Sequence, residues 1–260
     1  MKKFLIIANW KLNGNLKFIN KNINLMTKKI DNSLSFCNLS IAPPYVYINY
    51  INNFLKNTSI SLTAQNVDIH LQGSFTGETS IKMLKDIGIK YVITGHSERR
   101  LFHNESNNLV SQKFILIKNN GLIPILCLGE TEEQKKYNQT EKIFIQQINN
   151  IIKNSNINIL NKTIIAYEPV WAIGSGKNAN FSEIQKIILF IKKYISSLNK
   201  QVAKNIYFLY GGSVNYSNIN TFFKKNIING FLIGKASLEI ENFIALVKKT
   251  EKIISLLNRS

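Results

Sequence analysis

The chain has 260 residues, 45% of them hydrophobic, and a formal net charge of +18 at pH 7. That length suits two average domains or one α/β barrel of ~250 residues, and no low-complexity tail is present. The charge invites a nucleic-acid partner, but of the 33 basic residues only Arg99, Arg100 and Arg259 are arginine, the side chain best fitted to bidentate phosphate and base contacts. The lysines are scattered over what should be solvated helix faces, so no nucleic-acid partner is expected.

In chain order, Lys2 and Lys3 precede an apolar run, Phe4–Ala8. It is shorter than the roughly 7–15 residues of a signal core or the roughly 20 of a membrane helix, and is read as a first strand, with no membrane association. Ile19, Ile23, Met26 and Ile30 form a helical stripe. Further β-branched runs follow at Leu39–Ala42, Ile60–Ala64, Tyr91–Thr94 and Ile123–Leu128. Phe144, Ile148, Ile151 and Ile152 make a second helical stripe, before another run at Ile164–Tyr167. Ile184, Ile187, Ile188, Ile191 and Ile195 make a third, opened by Ser182 with Gln185 in a capping-box pattern. Runs at Ile206–Tyr210 and Phe231–Ile233 complete the series. Cys37 and Cys127 follow no metal or redox spacing, which suits a reducing cytoplasm. His70, His96 and His103 lack the spacing of a zinc helix, and no metal is expected.

Eight near-continuous apolar runs suit parallel strands covered on both faces. Their alternation with helices, without a Pro/Gly/Ser linker, predicts a single domain over residues 1–260, a (β/α)8 barrel; a doubly wound open sheet is the alternative. In a barrel the chemistry lies at the carboxyl ends of the strands. Asn9-Trp10-Lys11 follow the first run, and Gly95-His96-Ser97-Glu98-Arg99-Arg100 the fourth. Glu168 ends the sixth, Gly211-Gly212-Ser213 the seventh and Gly234-Lys235-Ala236-Ser237 the eighth. Singly, each of these is an ordinary loop residue. Together they bring an acid, an imidazole, a cation and two glycine turns to one mouth.

Glu168 is followed by the stiff Pro169-Val170-Trp171, then Ala172 and Ile173, then the glycines Gly174 and Gly176 around Ser175, and Lys177. Proline fixes φ and glycine frees it, which suits a rigid lid tip on a hinge. Glycine turns at helix N-termini present N–H groups to a phosphate. The set suggests proton abstraction beside the carbonyl of a small phosphorylated sugar. A dinucleotide fingerprint around Gly174 and Gly176 fails, because no Asp or Glu lies between Glu183 and Glu239 to hold a ribose. A P-loop fails because Asn178 stands where Ser or Thr is required.

The segments ANWKLNG, AQNV, GSFTGETS, GHSERR, CLGET, AYEPVWAIGSGK, YGGSV and GFLIGKASL resemble the triosephosphate isomerase family, in order and over essentially the whole chain. The resemblance implies interconversion of dihydroxyacetone phosphate and glyceraldehyde 3-phosphate through an enediolate, without cofactor or metal. Glu168 would be the base and His96 a neutral imidazole acting as electrophile. Lys11 and Asn9 would line the oxyanion side, with Glu98 behind them. Gly174, Ser213, Gly234 and Lys235 would offer backbone N–H groups to the phosphate. Residues Pro169 to Lys177 would be the lid. The resemblance also implies a cytoplasmic homodimer serving glycolysis, gluconeogenesis and the pentose shunt, with Phe75, Thr76 and Glu78 in the dimer loop. From the residues alone, Phe75 in a glycine-flanked loop reads more readily as a small local core.

Two positions depart from the family pattern. Ser175 replaces a Thr in the lid, and Lys235 stands where a second glycine is commonest, which leaves the role of its side chain open. Two rival functions remain: another phosphosugar isomerase on the same barrel, and a catalytically idle basic binding protein.

Overall fold

The computed structural model describes residues 3–30, 33–172, 180–223 and 227–258. Within them the strands β1 (Phe4–Asn9), β2 (Cys37–Ala42), β3 (Ser61–Ala64), β4 (Tyr91–Thr94), β5 (Ile123–Leu128), β6 (Ile164–Tyr167), β7 (Tyr207–Tyr210) and β8 (Gly230–Ile233) pair in sequence order, all parallel. β1 closes on β8 with Leu5 opposite Gly230 and Ala8 opposite Ile233. The expected (β/α)8 barrel is therefore present, and the open sheet is excluded. Each expected strand lies within two residues of its observed bounds.

The alternation of side chains along a strand divides the core in two. Ile6, Ala8, Leu39, Val92, Leu126, Ile165, Phe208 and Phe231 face outward and pack with helix residues in one large cluster. Leu5, Ile7, Ile93, Ile125, Ala166, Leu209 and Leu232 fill the barrel interior in a second. Gly230 is required at the closing seam: a Cβ there would stand 2.0 Å from the Leu5 carbonyl oxygen and 2.6 Å from the Leu209 side chain.

The helices cover the outer face: α1 (Leu16–Ile30), α2 (Tyr45–Leu55), α3 (Ile81–Asp86), α4 (Ser97–Phe102), α5 (Asn107–Asn119), α6 (Glu132–Lys136), α7 (Thr140–Lys153), α8 (Phe181–Leu198), α9 (Lys200–Lys204) and α10 (Ile240–Leu257). The stripe Ile19, Ile23, Met26 and Ile30 of α1 is wholly buried, each side chain contributing about 1.5–3 kcal/mol of transfer free energy. The capping-box expectation at Ser182 needs correction. α8 begins at Phe181, and the Asn180 side chain caps it by accepting from the Ser182 N–H. A complete capping box occurs instead at Thr131 and Gln134, at the start of α6. No helix of the described residues is long and apolar enough to cross a membrane.

Candidate active site

The inward phase of the strands continues past their ends. Asn9 follows Leu5 and Ile7 at spacing two, Glu168 follows Ile164 and Ala166, Gly211 follows Tyr207 and Leu209, and Gly234 follows Gly230 and Leu232. Period two therefore delivers these residues to the mouth of the barrel. There they line a cleft of about 560 Å³ together with Lys11, His96, Glu98, Ser213 and Lys235.

Glu168 is 2% exposed. Its Oε2 accepts the Ser97 N–H at 3.1 Å, and its Oε1 stands 3.1 Å from His96 Nε2. Gly211 makes room for it, since a Cβ there would come within 2.8 Å of Glu168 Cγ. The buried carboxylate is thus oriented by a main-chain donor and an imidazole at the wall of the cleft.

His96 is the N-cap of α4, with its Nδ1 accepting the Glu98 N–H at 3.2 Å. Glu98 Oε2 is farther from Nδ1, at 3.7 Å. An Nδ1 that accepts a main-chain proton leaves the ring proton on Nε2, aimed into the cleft toward Glu168. On the opposite wall, Lys11 Nζ pairs with Glu98 Oε1 at 2.5 Å. Lys11 holds a left-handed backbone, φ 53°, tied down by its N–H on Asn9 Oδ1 at 3.1 Å and by Gln65 Nε2 on its carbonyl at 2.9 Å. Asn9 itself is 5% exposed. A base, a ring N–H and an ammonium converging on one cleft can move a proton between carbons while holding a developing oxyanion.

Gly234 precedes a 3₁₀ turn, Lys235–Ser237, and Ser213 follows β7, so both glycine turns reach the same cleft. Lys235 is exposed, and its side chain has no hydrogen-bond partner among the described residues. Of the expected lid, Val170–Ala172 form a 3₁₀ turn. Ile173, Gly174, Ser175, Gly176 and Lys177 lie outside the described residues. Phe75, Thr76 and Glu78 are exposed, and Phe75 stacks on His70 with centroids 3.5 Å apart. The loop thus contains a small aromatic core and still presents an apolar edge.

Three contributors were not singled out from the sequence. Ser97 seats the Glu168 carboxylate through its backbone, which no residue-type pattern reveals. Gly211 was noted only as part of a glycine turn. Glu130, fully buried, accepts from Trp171 Nε1 at 2.9 Å and from Tyr167 Oη at 3.1 Å. Burial pushes its carboxyl above the usual range, partly offset by those two bonds. The Lys135 ammonium lies 3.6 Å from the Trp171 ring centre, so the segment leaving Glu168 is held at both the edge and the face of Trp171.

A family model described as triosephosphate isomerase matches residues 4–250. The chain is 47% identical over 257 residues to the triosephosphate isomerase of Blochmanniella floridana, covering 98% of each chain. It is 45% identical over 254 residues to that of Buchnera aphidicola subsp. Schizaphis graminum, covering 98% of this chain and 100% of the relative. With that of Baumannia cicadellinicola it shares 44% over 248 residues, 95% and 97% of the two chains. A cleft of this composition, at the mouth of a barrel matched from end to end, leads to one conclusion: the chain belongs to the triosephosphate isomerase family.

Proposed function

We propose that the protein interconverts dihydroxyacetone phosphate and D-glyceraldehyde 3-phosphate, an intramolecular isomerase of glycolysis. The Glu168 carboxylate takes a proton from the carbon beside the carbonyl and returns it to the neighbouring carbon. His96 Nε2–H donates to the carbonyl oxygen, which becomes the oxyanion of an enediolate. The Lys11 ammonium stabilises that charge, with Asn9 beside it and Glu98 anchoring Lys11. Backbone N–H groups of Ser213, Gly234 and Lys235, with Gly174 of the lid, hold the phosphate. A lid from Pro169 to Lys177 excludes water that would otherwise promote loss of phosphate from the intermediate. The observation that carries this mechanism is the 3.1 Å separation of Glu168 Oε1 and His96 Nε2 in one cleft.

A coupled assay on each triose phosphate tests the reading. Turnover in both directions is expected; inert protein, or turnover of a different phosphosugar only, overturns it.

The chain is further read as one domain, cytoplasmic, assembled as a homodimer, and serving gluconeogenesis and the pentose shunt as well. Support for the dimer comes from large apolar side chains left exposed around one half of the barrel mouth. Leu12 after β1 is 96% exposed, Val46 after β2 78%, Phe75 after β3 42% and Phe102 after β4 76%. Consecutive strands place these four side by side, which is the pattern of a contact surface.

A further inference from the structure

Behind the active cleft lies a second cavity of about 210 Å³, sharing Ser97, Leu101 and Val170 with it. Its remaining wall mixes the apolar Ile143 and Gly129 with the polar side chains of Arg100, Asn107, Thr131, Gln134, Gln146 and Gln147. Arg100 is the only charged side chain among the described residues that line it. The guanidinium is largely buried, donating Nε to the Gly95 carbonyl at 2.8 Å and Nη1 to Asn107 Oδ1 at 2.7 Å. Both partners are neutral. Glu105, the nearby acid, is bonded to Arg99 and Lys113, and both Glu105 and Glu168 act on Arg100 only through their fields. Buried charges are ordinarily paired, because an uncompensated one costs several kcal/mol. Here, among the described residues, no carboxylate bonds the guanidinium directly.

The cavity offers further donors. Gln134 Oε1 accepts the Thr131 N–H, and neither its amide nitrogen nor the Gln146 amide bonds another described residue. We propose that this cavity is a binding site for a small inorganic anion of halide size, held by the Arg100 guanidinium and the amide N–H groups of Gln134 and Gln146. The anion enters with a water. Gln147 Oε1, buried and without a partner, is the acceptor for that water. The positive charge and the amide donors of the lining favour an anion, and the absence of any lining carboxylate removes the competing internal partner.

Two measurements test the site. In the first, melting temperature is followed as chloride replaces gluconate at constant ionic strength, for the wild type and for Asn107→Asp. The substitution supplies a carboxylate directly to Arg100. Because an acid in the first turn of α5 stabilises that helix regardless, the chloride response is the readout, not the absolute melting temperature. Wild type should show a saturable rise of about 2–6 °C, and Asn107→Asp should lose all or part of it. Any residual response comes from anions in the active cleft, which the substitution leaves untouched. The second measurement is bromide soaking of wild-type crystals, read by anomalous scattering, and it needs no variant to fold. A bromide peak against Arg100 is expected. An unchanged chloride response in Asn107→Asp, or a cavity without bromide, overturns the proposal.

Discussion

His96 Nε2 and Glu168 Oε1 face each other at 3.1 Å, across the place where the proposed reaction puts the reacting carbons of its substrate. The ring proton lies on that nitrogen because Nδ1 accepts the Glu98 N–H. Proton acceptor and hydrogen-bond donor are therefore set against one another before substrate arrives, and substrate must part them.

Glu168→Gln keeps the volume and the acceptor for the Ser97 N–H but removes the base. Turnover should fall by at least roughly 10²–10⁴, with KM changed far less. Steady-state kinetics on the purified variant checks this, and near-normal kcat removes Glu168 from the mechanism.

Lys11→Met should lower kcat/KM by more than about 10²-fold without unfolding the chain. The left-handed backbone at position 11 strains Met as much as Lys, so the fold loses little there. Glu98 is partly open to solvent and tolerates losing its partner. Circular dichroism and kinetics on one sample separate the outcomes, and loss of fold with loss of rate makes Lys11 structural.

Lys235→Ala should change kcat/KM by less than about tenfold, or roughly 1.4 kcal/mol. The side chain is exposed, while its backbone opens the 3₁₀ turn at the cleft. Substrate and product carry the same phosphate, so added charge there binds both alike. A hundredfold loss concentrated in KM means instead that the ammonium grips the phosphate.

Glu105 is an acid-sensitive point of the scaffold. Its carboxyl accepts from Lys113 Nζ at 2.5 Å and Arg99 Nε at 2.6 Å. Burial alone would raise its pKa, but those two cations outweigh burial and hold it below the usual range. A carboxyl depressed in the folded state binds fewer protons folded than unfolded. Its contribution is complete above about pH 4.3 and is lost as pH falls through the folded value. Glu105→Gln leaves buried Lys113 without its counter-ion and should cost about 3–5 kcal/mol at neutral pH. It should also flatten the fall in urea midpoint below about pH 4.3. An unchanged midpoint at neutral pH shows that the cluster is not stabilising.

The active species should sediment as a dimer at micromolar concentration, and Phe75→Ala should shift it toward monomer. The exposed edge of Phe75, pre-set by its stack on His70, is the surface that a second copy covers in the proposed dimer. A fully active wild-type monomer refutes the assembly.

Much of this architecture is legible in the residues alone, for a physical reason. Strands of a closed parallel barrel are covered on both faces, so each reads as an unbroken apolar run, and all eight appear in the sequence. Chemistry at the strand ends is legible for a related reason: Asn9, Glu168 and Gly234 are simply the next inward positions after a buried run. What the tertiary structure alone decided are relations between residues far apart in the chain. Ser97 reaches Glu168 through a backbone N–H, which carries no side-chain signature. Gly211 must lack a Cβ because Glu168 lies over it, and nothing in a Gly-Gly-Ser turn says so. Lys113 looks like a surface lysine on α5 until the fold buries it against Glu105 and Asn66. The cap of α8 at Asn180 rather than Ser182 is a choice between two good capping residues. Periodicity reports which side chains are buried; only three-dimensional packing determines which of them meet.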